Sequence, residues 1–230
     1  MPNKSHILTN PVWNALKSGN ANLARGNDNA MYFDTEISPF VALRNIDSTC
    51  LNSLYEILPI RDISILACAQ VIDMPVQWQI LAIAQGYQMV YKGVAGDMQR
   101  YDLPLTDLSA RHIGDMMNLT QLTNPGPFSH RTIEFGHYQG AWNGHQLVAM
   151  AGQRMQPYNY AEISAVCTHP DHAGKGYARE LIAAQVIRMQ AANLTPFLHV
   201  RQDNERALKL YEQLGFAIRS DMYFHVFKKR

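Results

Sequence analysis

"AEISAVCTHPDHAGKGYARELI", residues 161–182, joins a short alternating run to a helix-like run through a His-Pro break and two glycines around a lysine. The first eight residues read as a strand and "ARELIAAQVIRMQAA" as a helix. A strand feeding a glycine-rich turn that opens a helix directs unpaired backbone N–H groups and the positive end of the helix dipole to one point. That geometry is an anion site. Glycine serves it twice, since it accepts positive φ and puts no Cβ between a phosphate and the backbone. Gly174, Gly176 and the small Ala178 meet the demand. A nucleotide P-loop needs G-x-x-x-x-G-K-[ST], and a dinucleotide fold needs G-x-G-x-x-G, of which Gly174 and Gly176 supply only the first part. Both nucleotide readings fail on spacing, and an ordinary strand-to-helix turn stays open beside the anion site.

Working outward, "PFLHV" reads as a strand, and "DNERALKLYEQLGF" (203–216) as a helix with Ala207, Leu210, Tyr211 and Leu214 on one face. Asp203 or Asn204 can cap that helix and Gly215 can end it. "GFAIRS" and "MYFHVFK" read as a final pair of strands. Upstream, "HYQGAWNGHQLVAMAGQRM" carries two strand-like runs around Asn143-Gly144, a strong hairpin signal. "DLSARHIGDMMNLTQL" reads as a helix and "TNPGPFSHR" as the loop after it.

Gly, Asp and Pro cluster in "KGVAGDMQRYDLPLT" (92–106), which places a boundary near residue 96. Before it, the strand-like "ISPFVAL" and "DISILACAQVI" alternate with the helix-like "STCLNSLYEIL" and "MPVQWQILAIAQG", as in an α/β layer. "KSGNANLARGNDNA" reads as a surface loop, one able to open or close over a site. No internal repeat in residue identity stands out.

The chain has 230 residues, 47% of them apolar, enough for a sizeable core in one large domain or two small ones. Its net charge is +1, with no dense basic stripe beyond Lys228, Lys229 and Arg230, so neither nucleic acid nor an anionic membrane is an expected partner. Three widely spaced cysteines suit reduced thiols and a cytoplasmic location better than a disulfide frame. The first residues lack the apolar core of a signal peptide, and no run of about 18 apolar residues occurs.

Taken together and in order, the strand "AEISAVCTHP", the turn "AGKGYA", the strand "PFLHV" and the helix "DNERALKLYEQLGF" resemble the acyl-CoA-binding core of the GNAT superfamily of N-acetyltransferases, in its FR47-like branch. The resemblance covers roughly residues 97–230. It implies a GNAT-like α/β fold (an α+β sandwich) with a mixed, mostly antiparallel central sheet and helices on both faces. It also implies a catalytic domain at 97–230. By similarity to two-part relatives, 1–96 becomes an α/β half, a degenerate GNAT-like domain without a matching glycine turn.

The family's pyrophosphate loop, Q/R-x-x-G-x-G/A, falls on Ala173, Gly174, Lys175, Gly176, Tyr177 and Ala178, with Ala173 where Gln or Arg is usual. Arg179 adds charge. The co-substrate implied is acetyl-CoA, with no metal. Its arm would lie along Val166, Cys167 and Thr168, whose backbone amides would polarise the thioester carbonyl, and it would meet Asn204. The resemblance assigns the general acid to Tyr211 and, as probable base, Glu162; an edge glutamate that simply meets solvent is the other reading of Glu162. Cys167 reads as a small buried cysteine rather than a nucleophile, and His169 and His172 as turn residues rather than metal ligands.

A small amine would be recognised by residues of the loops before the catalytic strands, among them Phe128, Arg131 and Tyr160, with Tyr158 and Glu134 nearby. The expected activity is acetyl transfer to such an amine. A CoA-binding sensor or scaffold without turnover is the competing class. The terminal strands are able to pair between subunits, which makes a homodimer an expectation as well.

Overall fold

The computed structural model describes residues 6–60, 63–94, 98 and 103–230. In chain order the strands are β1 (Ala24–Gly26), β2 (Ala30–Phe33), β3 (Phe40–Leu43), β4 (Ser64–Cys68), β5 (Trp78–Tyr91), β6 (Thr106–Asp107), β7 (Gln139–Asn143), β8 (Gln146–Gln153), β9 (Tyr160–Thr168), β10 (Thr195–Arg201) and β11 (Phe216–Lys229). The α-helices are α1 (Pro11–Leu16), α2 (Ser48–Ile57), α3 (Ile113–Thr123), α4 (Tyr177–Ala191) and α5 (Glu205–Gln213). All the strands join one sheet, ordered β1-β2-β3-β4-β11-β5-β10-β9-β8-β7-β6. Among the described residues only β3–β4 and β9–β10 pair parallel, so the expected mixed and mostly antiparallel α/β sheet is what forms.

The connections explain those two parallel pairs. A parallel neighbour needs a crossover, and α2 and α4 supply them. Asp47 starts α2 by accepting from the Cys50 amide at 2.8 Å, and Leu51 and Leu54 bury its apolar side. α4 buries Leu181, Ile182, Val186 and Met189 against β8, β9 and β10. The β7–β8 hairpin forms, with Asn143 paired to Gln146 and Gly144 at φ 59 taking the first turn position.

Two expected elements differ. "MPVQWQILAIAQG" is not a helix: from Trp78 on it belongs to the 14-residue strand β5, which pairs along its length with β11. The ladders to β11 and β10 override local propensity. "GFAIRS" and "MYFHVFK" are one strand, β11, which stays continuous through irregularities at Ile218/Ser220 and Val226/Phe227. β11 pairs with β4 and β5 within the chain.

Residues 95–97, where the expected boundary lies, are outside the described residues. The sheet itself is continuous, because β5 lies between β11 and β10. The Gly- and Asn-rich segment 17–30 is tied down, with the Gly19 amide donating to the Gln156 carbonyl at 3.1 Å and the Tyr158 amide to Ser18 Oγ at 2.8 Å. It also carries β1 and the start of β2.

Candidate active site

β9 and β10 pair only from Tyr160↔Thr195 to Glu162↔Phe197. Beyond that point they part: β10 continues on β5 to Arg201, while β9 stays on β8. The separation coincides with an irregularity in β8–β9, where Ala165 sits at φ 54. A non-glycine residue in that region is uncommon, and a bulge re-aims the backbone beside a site. The gap opens into a cavity of about 830 Å³.

One end of the cavity is the glycine turn. Gly174 and Gly176 lie at φ 81 and 86, where a side chain is strained. A Cβ on Gly174 would meet nothing within 4 Å, so the turn has open space in front of it. Gly176 is the N-cap of α4 and offers no side-chain bond, which leaves the first-turn amides for another acceptor. Ala173, Gly174, Gly176, Tyr177, Ala178 and Arg179 line the cavity. Lys175 is exposed, its Nζ 3.4 Å from His172 Nδ1.

Val166, Cys167 and Thr168 line the middle. Burial pushes the Cys167 thiol up to about 11, which suits packing and disfavours thiolate chemistry. Opposite them, Tyr211 projects from α5 and Asn204 caps that helix, accepting from the Ala207 amide at 3.1 Å. Burial alone raises the Tyr211 phenol to about 12, so the hydroxyl keeps its proton at neutral pH. His169 accepts from the Asp171 amide at 3.2 Å, as a turn residue does. No cluster of three metal-ligating side chains occurs among the described residues.

Glu162 departs from the solvent-edge reading. It is fully buried rather than at a solvent edge, and it does not line the cavity. Arg154 Nε and Nη2 donate to its two oxygens at 2.8 and 2.6 Å, and His199 Nδ1 lies 2.7 Å from Oε1. Burial works to raise its pKa, but the Arg154 charge and bonds, with His199, outweigh burial and hold it at about 2. A carboxylate so stabilised takes a proton from an amine poorly.

Gln88 extends this network. Its Oε1 accepts from Arg219 at 2.9 Å and its Nε2 donates to the Leu8 carbonyl at 3.0 Å, which fixes the amide orientation. Nε2 also faces His199 Nε2 at 3.1 Å. The imidazole nitrogen there must accept, so Nδ1 carries the hydrogen and donates it to Glu162.

The expected acceptor residues are not at the cavity. Phe128 packs edge-on to Tyr138, with centroids 5.8 Å apart. Arg131 pairs at the surface with Glu134 at 2.6 Å and Asp34 at 3.6 Å. Tyr160 turns its hydroxyl to His6 at 3.3 Å, and Tyr158 is exposed. Thr123–Pro127 from the expected loop does line the cavity.

The remaining wall comes from residues that motif reading missed: Phe40, Ile65, Ala84, Phe224 and Val226, with Arg154 and His199 at its floor. The available signal was a polar residue inside an apolar strand, His199 in "PFLHV", which when buried requires a partner. Arg154 had no such signal; its guanidinium lies 4.7 Å from the Phe40 ring centre, a contact across 114 positions that only folding creates.

Comparison with known proteins accords with this geometry. The family of FR47-like proteins matches residues 138–225. The N-alpha-acetyltransferase RimI of Mycobacterium tuberculosis is 34% identical over 84 residues, 35% of this chain and 51% of that protein. The chain thus matches about half the length of this curated relative. The crystal structure of a GNAT-family protein from Novosphingobium aromaticivorans, described as an acetyltransferase, is 30% identical. It superposes with a TM-score of 0.90, covering 98% of this chain and 100% of that one. A GCN5-related N-acetyltransferase from Kribbella flavida shares the fold at 14% identity and a TM-score of 0.60, over 93% of each chain.

Proposed function

The chain belongs to the GNAT superfamily of N-acetyltransferases, and from that premise we propose that it transfers an acetyl group from acetyl-CoA to the primary amine of a small molecule. One observation carries this reading: the parting of β9 from β10 beyond Glu162 runs directly into a glycine turn at an uncapped helix start. Acetyl-CoA as co-substrate supplies an activated carbonyl and a thiolate leaving group. The turn from Ala173 to Ala178 and the first amides of α4 would hold its pyrophosphate. The free edge of β9 offers backbone groups to an extended arm, as in strand addition.

The chemistry requires a polarised carbonyl, a neutral amine and a proton for the departing sulfur. Amides at Val166 and Thr168 serve the first need. Tyr211, which holds its proton, gives it to sulfur as the C–S bond breaks and the N–C bond forms. Tyr211 recovers a proton from solvent, which receives the one nitrogen loses. Glu162 acts as a positioning residue that orients His199 and Arg154. The N-terminal half, in our reading, is a degenerate GNAT-like unit, and we place the protein's action in the cytoplasm, in keeping with its three buried free cysteines.

Calorimetric titration with acetyl-CoA, with ATP and NAD as controls, tests the reading. Acetyl-CoA alone should bind, and Gly176→Trp should abolish binding while the circular dichroism spectrum is retained. Absence of acetyl-CoA binding by the native protein overturns the proposal. Binding without turnover across a broad amine panel leaves a CoA-binding sensor or scaffold.

A further inference from the structure

Beyond the turn and the splayed strands, the cavity continues to a second end that the motifs do not account for. Its walls come from the N-terminal half and the last strand: Phe40 of β3, Ile65 of β4, Ala84 of β5, and Phe224 and Val226 of β11. All five are apolar. At its floor lies Arg154, whose side chain is 12% exposed. Nε and Nη2 of Arg154 are taken by Glu162, while Nη1 has no acceptor among the described residues.

Equally informative is the charge of the lining. None of the described residues around the cavity is Asp or Glu, whereas four are arginines. The carboxylate nearest the floor, Glu162, is fully buried behind Arg154 and His199. An acceptor carrying several positive charges would lose its hydration here and gain no anion in return. An ammonium meets the same cost, so the site favours amines that enter neutral. An α-amine is less basic than a side-chain ammonium, so more of it is neutral near pH 7, and a free carboxylate then separates an amino acid from a peptide terminus.

Resting on the acetyl-transfer reading, we propose that the acceptor is a free α-amino acid with an apolar or aromatic side chain, its carboxylate on Arg154 Nη1 and its side chain against Phe40, Ile65 and Phe224. Guanidinium and carboxylate match in geometry and charge, and the arginine's fixed pairing with Glu162 holds it in place without a rotamer search. The aromatic wall removes the apolar group from water, and a ligand cleft of this kind combines apolar surface with a few placed polar groups. In the reaction the α-nitrogen forms the N–C bond as the C–S bond breaks. One proton passes from nitrogen to solvent, and one from Tyr211 to sulfur.

The test is steady-state release of CoA thiol with phenylalanine, leucine, phenethylamine, the peptide Phe-Gly-Gly and spermidine, beside calorimetry with acetyl-CoA. Phenylalanine and leucine should exceed phenethylamine and spermidine at least about 100-fold in kcat/KM. Ala84→Trp, which fills the apolar end, should raise the KM for phenylalanine at least about tenfold and leave the acetyl-CoA Kd within about twofold. Preferred turnover of spermidine, phenethylamine or the peptide, or no effect of Ala84→Trp on phenylalanine, overturns the inference while acetyl transfer stands. Acetyl-CoA binding with no turnover of any amine overturns it too, and no acetyl-CoA binding removes both readings.

Discussion

In the N-terminal half, β1, β2 and β3 run antiparallel, β3 pairs parallel with β4, and β4 pairs antiparallel with β11; in the C-terminal half, β7, β8, β9, β10 and β5 repeat that pattern. The closing strands are exchanged, since β5 comes from the first half of the chain and β11 from the second. Each parallel pair is linked by a helix, α2 in one half and α4 in the other. The difference lies at the helix starts. Asp47 closes the start of α2 with a carboxylate that occupies a backbone amide and repels any incoming phosphate, while Gly176 leaves the start of α4 open.

A second difference follows the parallel pair. α5 crosses from β10 to β11 and brings Asn204 and Tyr211 to the gap, whereas β4 passes to β5 with no helix between them. Every residue of β3 and β4 is buried, and beyond their last pair Leu43 and Cys68 fill the space that is hollow between β9 and β10. The same supersecondary plan therefore serves two ends. On the proposed function, one copy would present a cleft for an anion and an extended arm, and the other its apolar face as the wall of the acceptor end.

Tyr211→Phe tests the helix that one half lacks. If the phenol protonates the leaving sulfur, kcat should fall by roughly 10²–10⁴-fold. The acetyl-CoA Kd should hardly change, because the ring and its packing on Phe216, 6.1 Å between centroids, remain. Unchanged turnover in stopped-time assays of CoA release would remove the acid from this helix and with it the sharpest contrast between the halves.

Glu162→Gln tests the junction where the halves meet. It leaves Arg154 buried without its counter-charge, so stability should fall by about 3–5 kcal/mol in urea titrations at neutral pH. The pH dependence carries the sign. Glu162 is held at about 2 in the fold, below the ordinary value of 4.5, so its contribution is complete above about pH 4.5 and disappears as pH drops toward 2. Native protein should show that acid limb, and Glu162→Gln should flatten it. A limb of the same steepness in both proteins would show that the Arg154–Glu162–His199 cluster contributes nothing to joining the halves.

Much of the catalytic half was legible because its signals are local. The turn at Gly174 and Gly176 lies within one short stretch, and the cap at Asn204 and the face of Ala207, Leu210, Tyr211 and Leu214 lie within another. The strand β5 was not legible. "QILAIAQ" has no periodicity that decides between helix and strand, and what decides is a ladder to β11, over 100 residues away. The acceptor end was hidden for the same reason. Phe40, Arg154 and Phe224 meet only because β3, the turn before β9 and β11 converge, and aromatic residues near the motif, Phe128 and Tyr160, were drawn elsewhere by Tyr138 and His6.

The smallest effect is the most discriminating between the halves. Asp47→Ala removes the side chain that caps α2, and the freed amides then face solvent, since Asp47 is exposed. The expected result is a Tm lower by about 3 °C, typical of a lost cap in a domain of this size. Acetyl-CoA affinity and kcat should both stay as they were. The opened helix start has no hollow beside it, because beyond Phe40↔Ile65 and Val41↔Leu66 the residues Leu43 and Cys68 are packed into the core. An anion site needs the amides and the gap together. A gain of acetyl-CoA stoichiometry from one to two on Asp47→Ala would show instead that the cap alone keeps the N-terminal half silent.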